Sequence, residues 1–315
     1  MFSRKSFLIA CAALCLLFFI SSSASAGELA DLRLKIKSMH AKWTAGDTQI
    51  SRLTPKERKK RLGLFFPKVS PKVKTLADSE SFVRLQAEPL PSSLDWRNNG
   101  GNFVTPVRDQ GNCGSCWAFA TTGALESATL LANNTPNVNL DLSEQVLVSC
   151  GGAGDCGGGY IDDASDYIAD PGLPLESSYP YIAQNGFCGN AVQGWQNSAY
   201  FVNGWQWVTT TNTTVSALKA ALNTFGPLVT TMQVYADFYN YKTGVYSYTS
   251  GDYQGGHAVL LVGYDDAGQY FIVKNSWGST YWGDAGYFKI AYSEISSVVN
   301  FGDWTIAYSA SGSQP

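Results

Sequence analysis

Two cysteines, Cys113 and Cys116, stand three positions apart, and the second opens an apolar run that begins with Trp117. Ser115 is a favourable helix N-cap, so the pattern predicts a helix from Cys116 to about Leu131. A thiol on the first helical residue lies beside unpaired backbone N–H groups, at the positive end of the helix dipole. Both effects favour the thiolate, the nucleophilic form of cysteine. This stretch therefore predicts a nucleophile, although an isolated C-x-x-C is more often a metal half-site, a redox pair or a disulfide cysteine.

The chain offers few histidines to act with this thiol. Histidines occur at positions 40 and 257, and His40 lies in a segment that we expect to be removed. A lone histidine before an apolar strand is usually a structural core residue. Here a thiol activated by an imidazole has no other partner, so His257 is the expected base.

Two further side chains complete the constellation. Asn275 stands in the string Lys274-Asn275-Ser276-Trp277-Gly278, where it can orient the imidazole while Trp277 shields that hydrogen bond from water. Gln110 lies six residues before Cys116, and its side-chain amide is expected to form an oxyanion hole with the backbone N–H of Cys116.

In these motifs the chain resembles the papain family of cysteine proteases across nearly all of residues 90–315. The string Cys113-Gly114-Ser115-Cys116-Trp117 matches the family signature C-G-[SA]-C-[WY]. The resemblance implies an α+β, two-lobe fold, with a helical left lobe, an antiparallel β-barrel-like right lobe and the active site in the cleft between them. The periodicity agrees: helices are expected over 116–131, 142–150 and 160–169, and strands over 257–264, 269–274 and 286–292.

The resemblance also implies further roles. Four cysteines remain beside the nucleophile, and sequence alone leaves three pairings open. The family pattern implies Cys113–Cys156 and Cys150–Cys188, whereas a zinc site is disfavoured because no second histidine is available. Residues like Gly158 and Gly159 pair with substrate backbone in the family. By the same resemblance, the pocket for the second side chain before the cut, with an apolar or aromatic preference, is expected to be lined by Tyr160, Ile161 and Ala258. Trp277 is a further expected substrate contact.

The first 89 residues differ from the rest. Residues 1–26 read as a signal peptide, with Arg4 and Lys5 before an apolar run and Ala24-Ser25-Ala26 as a cleavage site; an uncleaved anchor is the rival interpretation. Residues 27–89 are expected to be a propeptide, with a helix over Glu28–Trp43 and an extended connector over Pro67–Pro91.

The propeptide resembles the short one of cathepsin B-type enzymes at Trp43-Thr44-Ala45-Gly46 and Arg61-Leu62-Gly63. Gly226-Pro227, followed by Tyr235 to Tyr246, also resembles cathepsin B. No histidine remains for that enzyme's occluding loop, which favours internal cleavage of substrates over trimming from their ends.

The charge is strongly divided along the chain. Residues 1–89 contain 16 Lys and Arg against 7 Asp and Glu, whereas residues 90–315 contain 6 against 18. The acidic part has no basic patch, which argues against nucleic-acid binding. The two parts should attract each other, so we expect acid to loosen the propeptide by protonating carboxylates.

The sequence therefore predicts a secreted cysteine endopeptidase made as a zymogen. We expect a monomer that acts on peptides or proteins, is inhibited by its own propeptide, requires no cofactor or metal, and does not contact a membrane after signal cleavage. The final compartment is extracellular, periplasmic or a lysosome-like vacuole. Two alternatives stay open: acyl transfer to an amine, which usually has Asp in place of Asn275, and an inactive relative that binds partners in the cleft.

Overall fold

The computed structural model describes residues 27–67, 75–87, 89–309 and 311–313. The expected signal peptide, residues 1–26, lies outside the described residues. The helices and strands follow in this order: α1 (27–38), β1 (Trp43–Ala45), α2 (Pro55–Lys59), α3 (Glu80–Ala87), β2 (Ser93–Asp95), α4 (Cys116–Ala132), α5 (Glu144–Cys150), β3 (Gly154–Asp155), β4 (Gly158–Gly159), α6 (Ile161–Ala169), β5 (Tyr200–Val202), β6 (Trp205–Thr209), α7 (Val215–Phe225), β7 (Leu228–Tyr235), β8 (Tyr241–Tyr246), β9 (Tyr253–Asp265), β10 (Tyr270–Lys274), β11 (Tyr287–Ala291), β12 (Thr305–Tyr308) and β13 (Ser311–Ser313).

Two apolar cores lie on opposite faces of one large sheet. The long central strand β9 separates them, because successive side chains of a strand point to opposite faces. Leu260 and Val262 belong to the core formed with helices α4, α5 and α6. Val259 and Leu261 belong to the other core, with β7, β8 and α7. Burial on both faces explains the unbroken apolar run in this part of the sequence.

The sheet contains nine strands, with the path β1-β8-β11-β10-β9-β7-β12-β6 and with β2 paired to β9. Its pairings are antiparallel except for β8 with β11, which run parallel. The α+β architecture agrees with the expected fold class, and the parallel pair is a departure from an all-antiparallel right lobe.

The central helix α4 begins at Cys116, as its sequence predicts, and is buried on nearly all sides. Ser115 occupies the N-cap position, but its side chain makes no capping hydrogen bond. The expected helix over 142–150 is shorter, Glu144–Cys150, because Ser143 caps it by accepting from the N–H of Val146. The third expected helix begins one residue late, at Ile161.

The N-terminal segment differs from its predicted conformation in two places. The helix predicted over Glu28–Trp43 ends at residue 38, and Trp43 instead opens strand β1, which pairs with β8 at the edge of the sheet. The Trp43 side chain is 4% exposed, so burial against the sheet overrides the helical spacing. The connector predicted to be extended contains helix α3, whose Phe82 is 2% exposed and packs in the core that includes α7.

Candidate active site

The loop before α4 holds Cys116 by backbone contacts and a disulfide. Cys113 is bonded to Cys156, and the N–H of Gly114 donates to the carbonyl of Cys156 at 2.9 Å. A second disulfide joins Cys150 to Cys188, so both pairs are those that the family resemblance implies. Among the described residues Cys116 is the free cysteine, and it is buried.

The strand that carries His257 faces this thiol. The N–H of Ala258 points at Cys116 Sγ, with 3.5 Å between the two atoms. His257 Nε2 lies 2.8 Å from Asn275 Oδ1. Since that oxygen also accepts from the N–H of Ser276, at 2.8 Å, Asn275 acts as the acceptor and Nε2 must carry a proton. The remaining ring nitrogen, Nδ1, is buried and has no hydrogen-bond partner among the described residues.

Trp277 covers the imidazole, as its place in the sequence predicts. The centroids of its ring and that of His257 are 5.0 Å apart, with an angle of 34° between the planes. Both residues are fully buried, so the bond between His257 and Asn275 is shielded from water. In such an environment the hydrogen bond is stronger than it would be in contact with solvent.

Burial sets the protonation state of the pair in this closed form. Desolvation raises the pKa of Cys116 to about 12, although backbone N–H groups near the sulfur oppose the shift. Desolvation also lowers the pKa of His257 to about 4, opposed by the hydrogen bond with Asn275. Both shifts favour the neutral thiol and neutral imidazole over the thiolate–imidazolium pair.

Gln110 is fully buried next to the loop that precedes Cys116. Its Nε2 donates to the carbonyl of Cys113 at 2.9 Å, which leaves the second amide proton for another acceptor. Its Oε1 accepts from the hydroxyl of Ser276 at 2.7 Å. The sequence interpretation gave Ser276 no role, although it stands inside the string around Asn275 that was singled out.

The two glycines expected to bind substrate backbone form strand β4 at the edge of the cleft. The N–H of Gly159 donates to the carbonyl of Gly63 at 2.8 Å, and its carbonyl accepts from the N–H of Phe65 at 2.9 Å. A side chain on Gly158 would collide with the ring of Phe65, 2.7 Å from the added Cβ. These positions therefore pair with an extended backbone, and here the backbone is the chain's own.

The expected pocket residues surround that same segment. The rings of Tyr160 and Phe65 are 5.4 Å apart. Ile161 and Ala258 are buried in the core that also contains Leu64.

Residues 61–66 lie in the cleft, against Trp277, Gly159 and Gly256. The indole N–H of Trp277 donates to the carbonyl of Arg61 at 2.9 Å, and the N–H of Leu64 donates to Gly256 at 3.2 Å. Leu62 and Leu64 are 4% and 6% exposed, and burying each such side chain contributes about 1.5–3 kcal/mol. The Arg61 guanidinium forms an ion pair with Asp109. The sequence interpretation missed the binding of residues 61–66 in the cleft, although the apolar string that follows the basic run over residues 56–61 could have indicated it.

The part of the chain that the structure describes lacks two kinds of feature. No helix there has the length and apolar character needed to cross a membrane. No group of three or more His, Cys, Asp or Glu side chains there is arranged to hold a metal ion.

Comparisons with known proteins identify the family of this chain. A sequence profile of the papain family cysteine proteases matches residues 90–303. A pro-cathepsin H of Medicago truncatula is 45% identical over 213 residues, which are 64% of this chain and 57% of the relative. A cathepsin L-like proteinase of Fasciola hepatica is 41% identical over 208 residues, 64% of this chain and 60% of the relative. The chain thus spans about 60% of the length of these relatives.

Solved structures of procathepsins resemble most of the chain. Procathepsin L2 from the larval midgut of Tenebrio molitor superposes with a TM-score of 0.73 at 31% identity, covering 91% of this chain and 90% of that one. A procathepsin B of Trypanosoma congolense gives a TM-score of 0.74, covering 90% and 97%, but its 24% identity supports the fold alone. These names do not single out the cathepsin B type. The profile covers more than half of the sequence, and the chain therefore belongs to the papain family of cysteine proteases.

Proposed function

We propose that this chain is the precursor of a secreted cysteine endopeptidase, with residues 1–26 as signal peptide, 27–89 as propeptide and 90–315 as peptidase domain. The observation that carries the proposal is the hydrogen bond between His257 and Asn275 beside the buried thiol of Cys116. The procathepsin structures, which match the chain over its prosegment as well, support the zymogen.

The mechanism follows from the roles of these groups. The Cys116 thiolate attacks the carbonyl carbon of the substrate while His257 Nδ1 holds the thiol's proton. The second amide proton of Gln110 and the backbone N–H of Cys116 stabilise the developing oxyanion. His257 then gives its proton to the leaving amine, which produces an acyl-enzyme. Water, deprotonated by the same imidazole, releases the acid and restores the thiol. Asn275 keeps the ring in the orientation that each step requires.

The propeptide inhibits because it lies in the cleft in the wrong direction. Its chain runs from Trp277, where we place the leaving-group side, towards Gly159 and Tyr160, where we place the pocket before the cut. A substrate that uses the same pocket runs the opposite way. The inhibitory segment therefore fills the site without presenting a carbonyl carbon in the attacking geometry.

The proposal also covers the propeptide type, the substrates, the oligomeric state and the trigger of activation. The cathepsin B-type propeptide rests on its short basic sequence, while curated relatives of the peptidase domain carry cathepsin L and H names. The proposed substrates are peptides or proteins, which the enzyme cleaves at internal peptide bonds, and the proposed active form is a monomer. Activation by acid rests on the opposite charges of the two parts. Within the described residues one ion pair, Arg61 with Asp109, joins them.

The experiment is to express the precursor, transfer it to mildly acidic pH and assay peptide hydrolysis. We expect processing near residue 90, labelling of Cys116 by an epoxide inhibitor of papain-like enzymes, and loss of both hydrolysis and labelling in Cys116→Ser. A Cys116→Ser protein that still cleaves peptides would refute the mechanism. Processing at equal rates at neutral and acidic pH would refute the proposed activation by acid, but not the mechanism.

A further inference from the structure

The two proposed oxyanion donors belong to separate stretches of chain. The side-chain donor comes from Gln110 in a loop, and the backbone donor comes from Cys116 at the start of α4. An oxyanion hole works only when both N–H groups are held at fixed positions around the same oxygen. The side chain of Gln110 is fixed by Ser276 and by the carbonyl of Cys113, but neither contact ties the Gln110 backbone to the first residues of α4.

One hydroxyl bridges the two stretches. Tyr181 Oη donates to the carbonyl of Gln110 at 2.8 Å and lies 2.6 Å from Ser115 Oγ, directly before the nucleophile. A tyrosine hydroxyl has a single proton, and a carbonyl can only accept. The proton of Tyr181 therefore serves Gln110, and Ser115 must donate to the oxygen of Tyr181. The Ser115 hydroxyl is thus turned towards Tyr181, and it makes no capping hydrogen bond at the N-terminus of α4.

The tyrosine is itself held firmly. Its ring packs edge-on against Phe119, with centroids 4.8 Å apart, one turn along α4 from the nucleophile. Its backbone N–H donates to Glu176 at 2.6 Å. The following loop packs under Gly111, where an added Cβ would lie 3.1 Å from the Cβ of Ala183. Burial raises the pKa of Tyr181, so its hydroxyl stays protonated and can donate at neutral and mildly acidic pH.

We propose that Tyr181 is a positioning residue of the oxyanion hole, which fixes the backbone of Gln110 relative to the start of α4 through its hydroxyl. The proposal rests on the proposed cysteine-protease function. Among the described residues Tyr181 makes no hydrogen bond to the thiol or to the imidazole. Removing its hydroxyl should therefore weaken the stabilisation of negative charge on the substrate oxygen and leave the reactivity of the thiol unchanged.

Two reactions of the same sulfur separate these effects. Acylation by a peptide ester or amide places negative charge on a carbonyl oxygen and needs the oxyanion hole. Alkylation by iodoacetamide is displacement at a saturated carbon, so it reports the thiolate without the hole. Loss of a whole oxyanion donor costs about 10²–10³ in rate, and a displaced donor costs less. In Tyr181→Phe we expect kcat to fall about 5- to 30-fold, with KM nearly unchanged, and the alkylation rate of Cys116 to stay within about twofold.

The matched control is Tyr179→Phe. Tyr179 lies in the same loop, is buried, and donates its hydroxyl to a backbone carbonyl, that of Phe187, at 3.0 Å. We expect this variant to hydrolyse peptides at nearly the wild-type rate. An equal loss of kcat in the two variants, an unchanged kcat in Tyr181→Phe, or an equal fall in its alkylation rate would each overturn the proposal.

A second variant covers failure of Tyr181→Phe to fold. Ser115→Ala removes the other end of the bridge, and we expect a smaller fall in kcat, again with unchanged alkylation; equal alkylation and kcat losses would overturn the proposal. Failure of the proposed function itself would look different, because the processed wild-type protein would then not hydrolyse peptides at all.

Discussion

Gly63 packs against Gly114 so closely that a β-carbon on Gly63 would lie 1.9 Å from the Gly114 carbonyl oxygen. Gly114 stands two residues before Cys116, so this contact brings the N-terminal segment directly onto the loop that precedes Cys116. The obstacle is backbone on backbone, and it cannot be relieved by rotating a side chain. Glycine is thus required at the one point where the segment crosses the proposed nucleophile.

We expect Gly63→Ala to weaken inhibition by the propeptide. Overpacking of this kind costs about 1–3 kcal/mol, which corresponds to a roughly 5- to 150-fold larger fraction of precursor with an open cleft. The measurement is the half-time of self-processing at neutral pH, which should shorten by a similar factor. Gly27→Ala is the control, because a β-carbon there would meet no atom of another described segment within 4 Å. Unchanged processing in Gly63→Ala would contradict the assigned crossing point.

The ion pair between Arg61 and Asp109 should matter more than the other charges of the basic run. Its two side chains are only 10% and 31% exposed, so losing one partner leaves a charge poorly solvated. We expect Arg61→Gln to speed self-processing at least about threefold, and Asp109→Asn to do the same, since about 1 kcal/mol changes an equilibrium about fivefold.

Arg52→Gln provides the comparison for this pair. Arg52 also pairs with an aspartate, Asp47, but those side chains are 65% and 51% exposed. Exposed ion pairs contribute little, so processing should not change measurably. An equal effect of Arg52→Gln would show that net charge, and not the buried pair, retains the propeptide.

The reactivity of Cys116 should differ sharply between precursor and processed enzyme. In the closed form, burial raises the pKa of the thiol to about 12 and lowers that of His257 to about 4, so neither group is charged near neutral pH. Removal of residues 61–66 admits water, which stabilises the ion pair. We expect iodoacetamide to alkylate the processed form at least about 100-fold faster. Intact-mass spectrometry reads both forms in one sample, and equal rates would exclude this account of latency.

The sequence predicted the elements around the proposed site well, for physical reasons. Cys116 opens α4 because a small polar residue precedes an apolar run, and this local pattern is sufficient to place the helix start. The unbroken apolar stretch after His257 required a strand buried on both faces, which β9 is. These local signals located Cys116, His257 and Asn275, while their mutual distances depend on the tertiary fold.

The remaining features could not be predicted because they depend on partners distant in sequence. Trp43 has helical spacing, yet it is drawn into a strand by an edge of the sheet about 200 residues away. Phe82 makes a short helix stable only because the core containing α7 buries it. In the sequence Tyr181 cannot be distinguished from the other aromatic residues, and only the fold brings its hydroxyl to Gln110.

Because of Asp237, we expect the folded state to become more stable as the pH is lowered. Its carboxylate accepts from Tyr246 Oη at 2.8 Å and from the N–H groups of Thr249 and Ser250, at 2.8 and 3.1 Å. Desolvation nevertheless outweighs these bonds and raises its pKa to about 6, from 3.8. Between those two values the folded state binds more protons than the unfolded state. Stability therefore falls as pH rises through this window, by at most about 3 kcal/mol from this one group.

The test is the thermal unfolding midpoint of the uncleavable Cys116→Ser precursor, measured across the same pH window with and without Asp237→Asn. The asparagine oxygen can still accept from the two backbone N–H groups, and the Tyr246 hydroxyl can turn to accept from its amide. We expect Asp237→Asn to flatten the decline of the midpoint between about pH 4 and pH 6, because it removes the titrating group. Asp252→Asn, at an exposed neighbouring position, should leave the pH profile unchanged. If the decline keeps its full size in Asp237→Asn, the stabilisation in acid originates in other carboxyl groups.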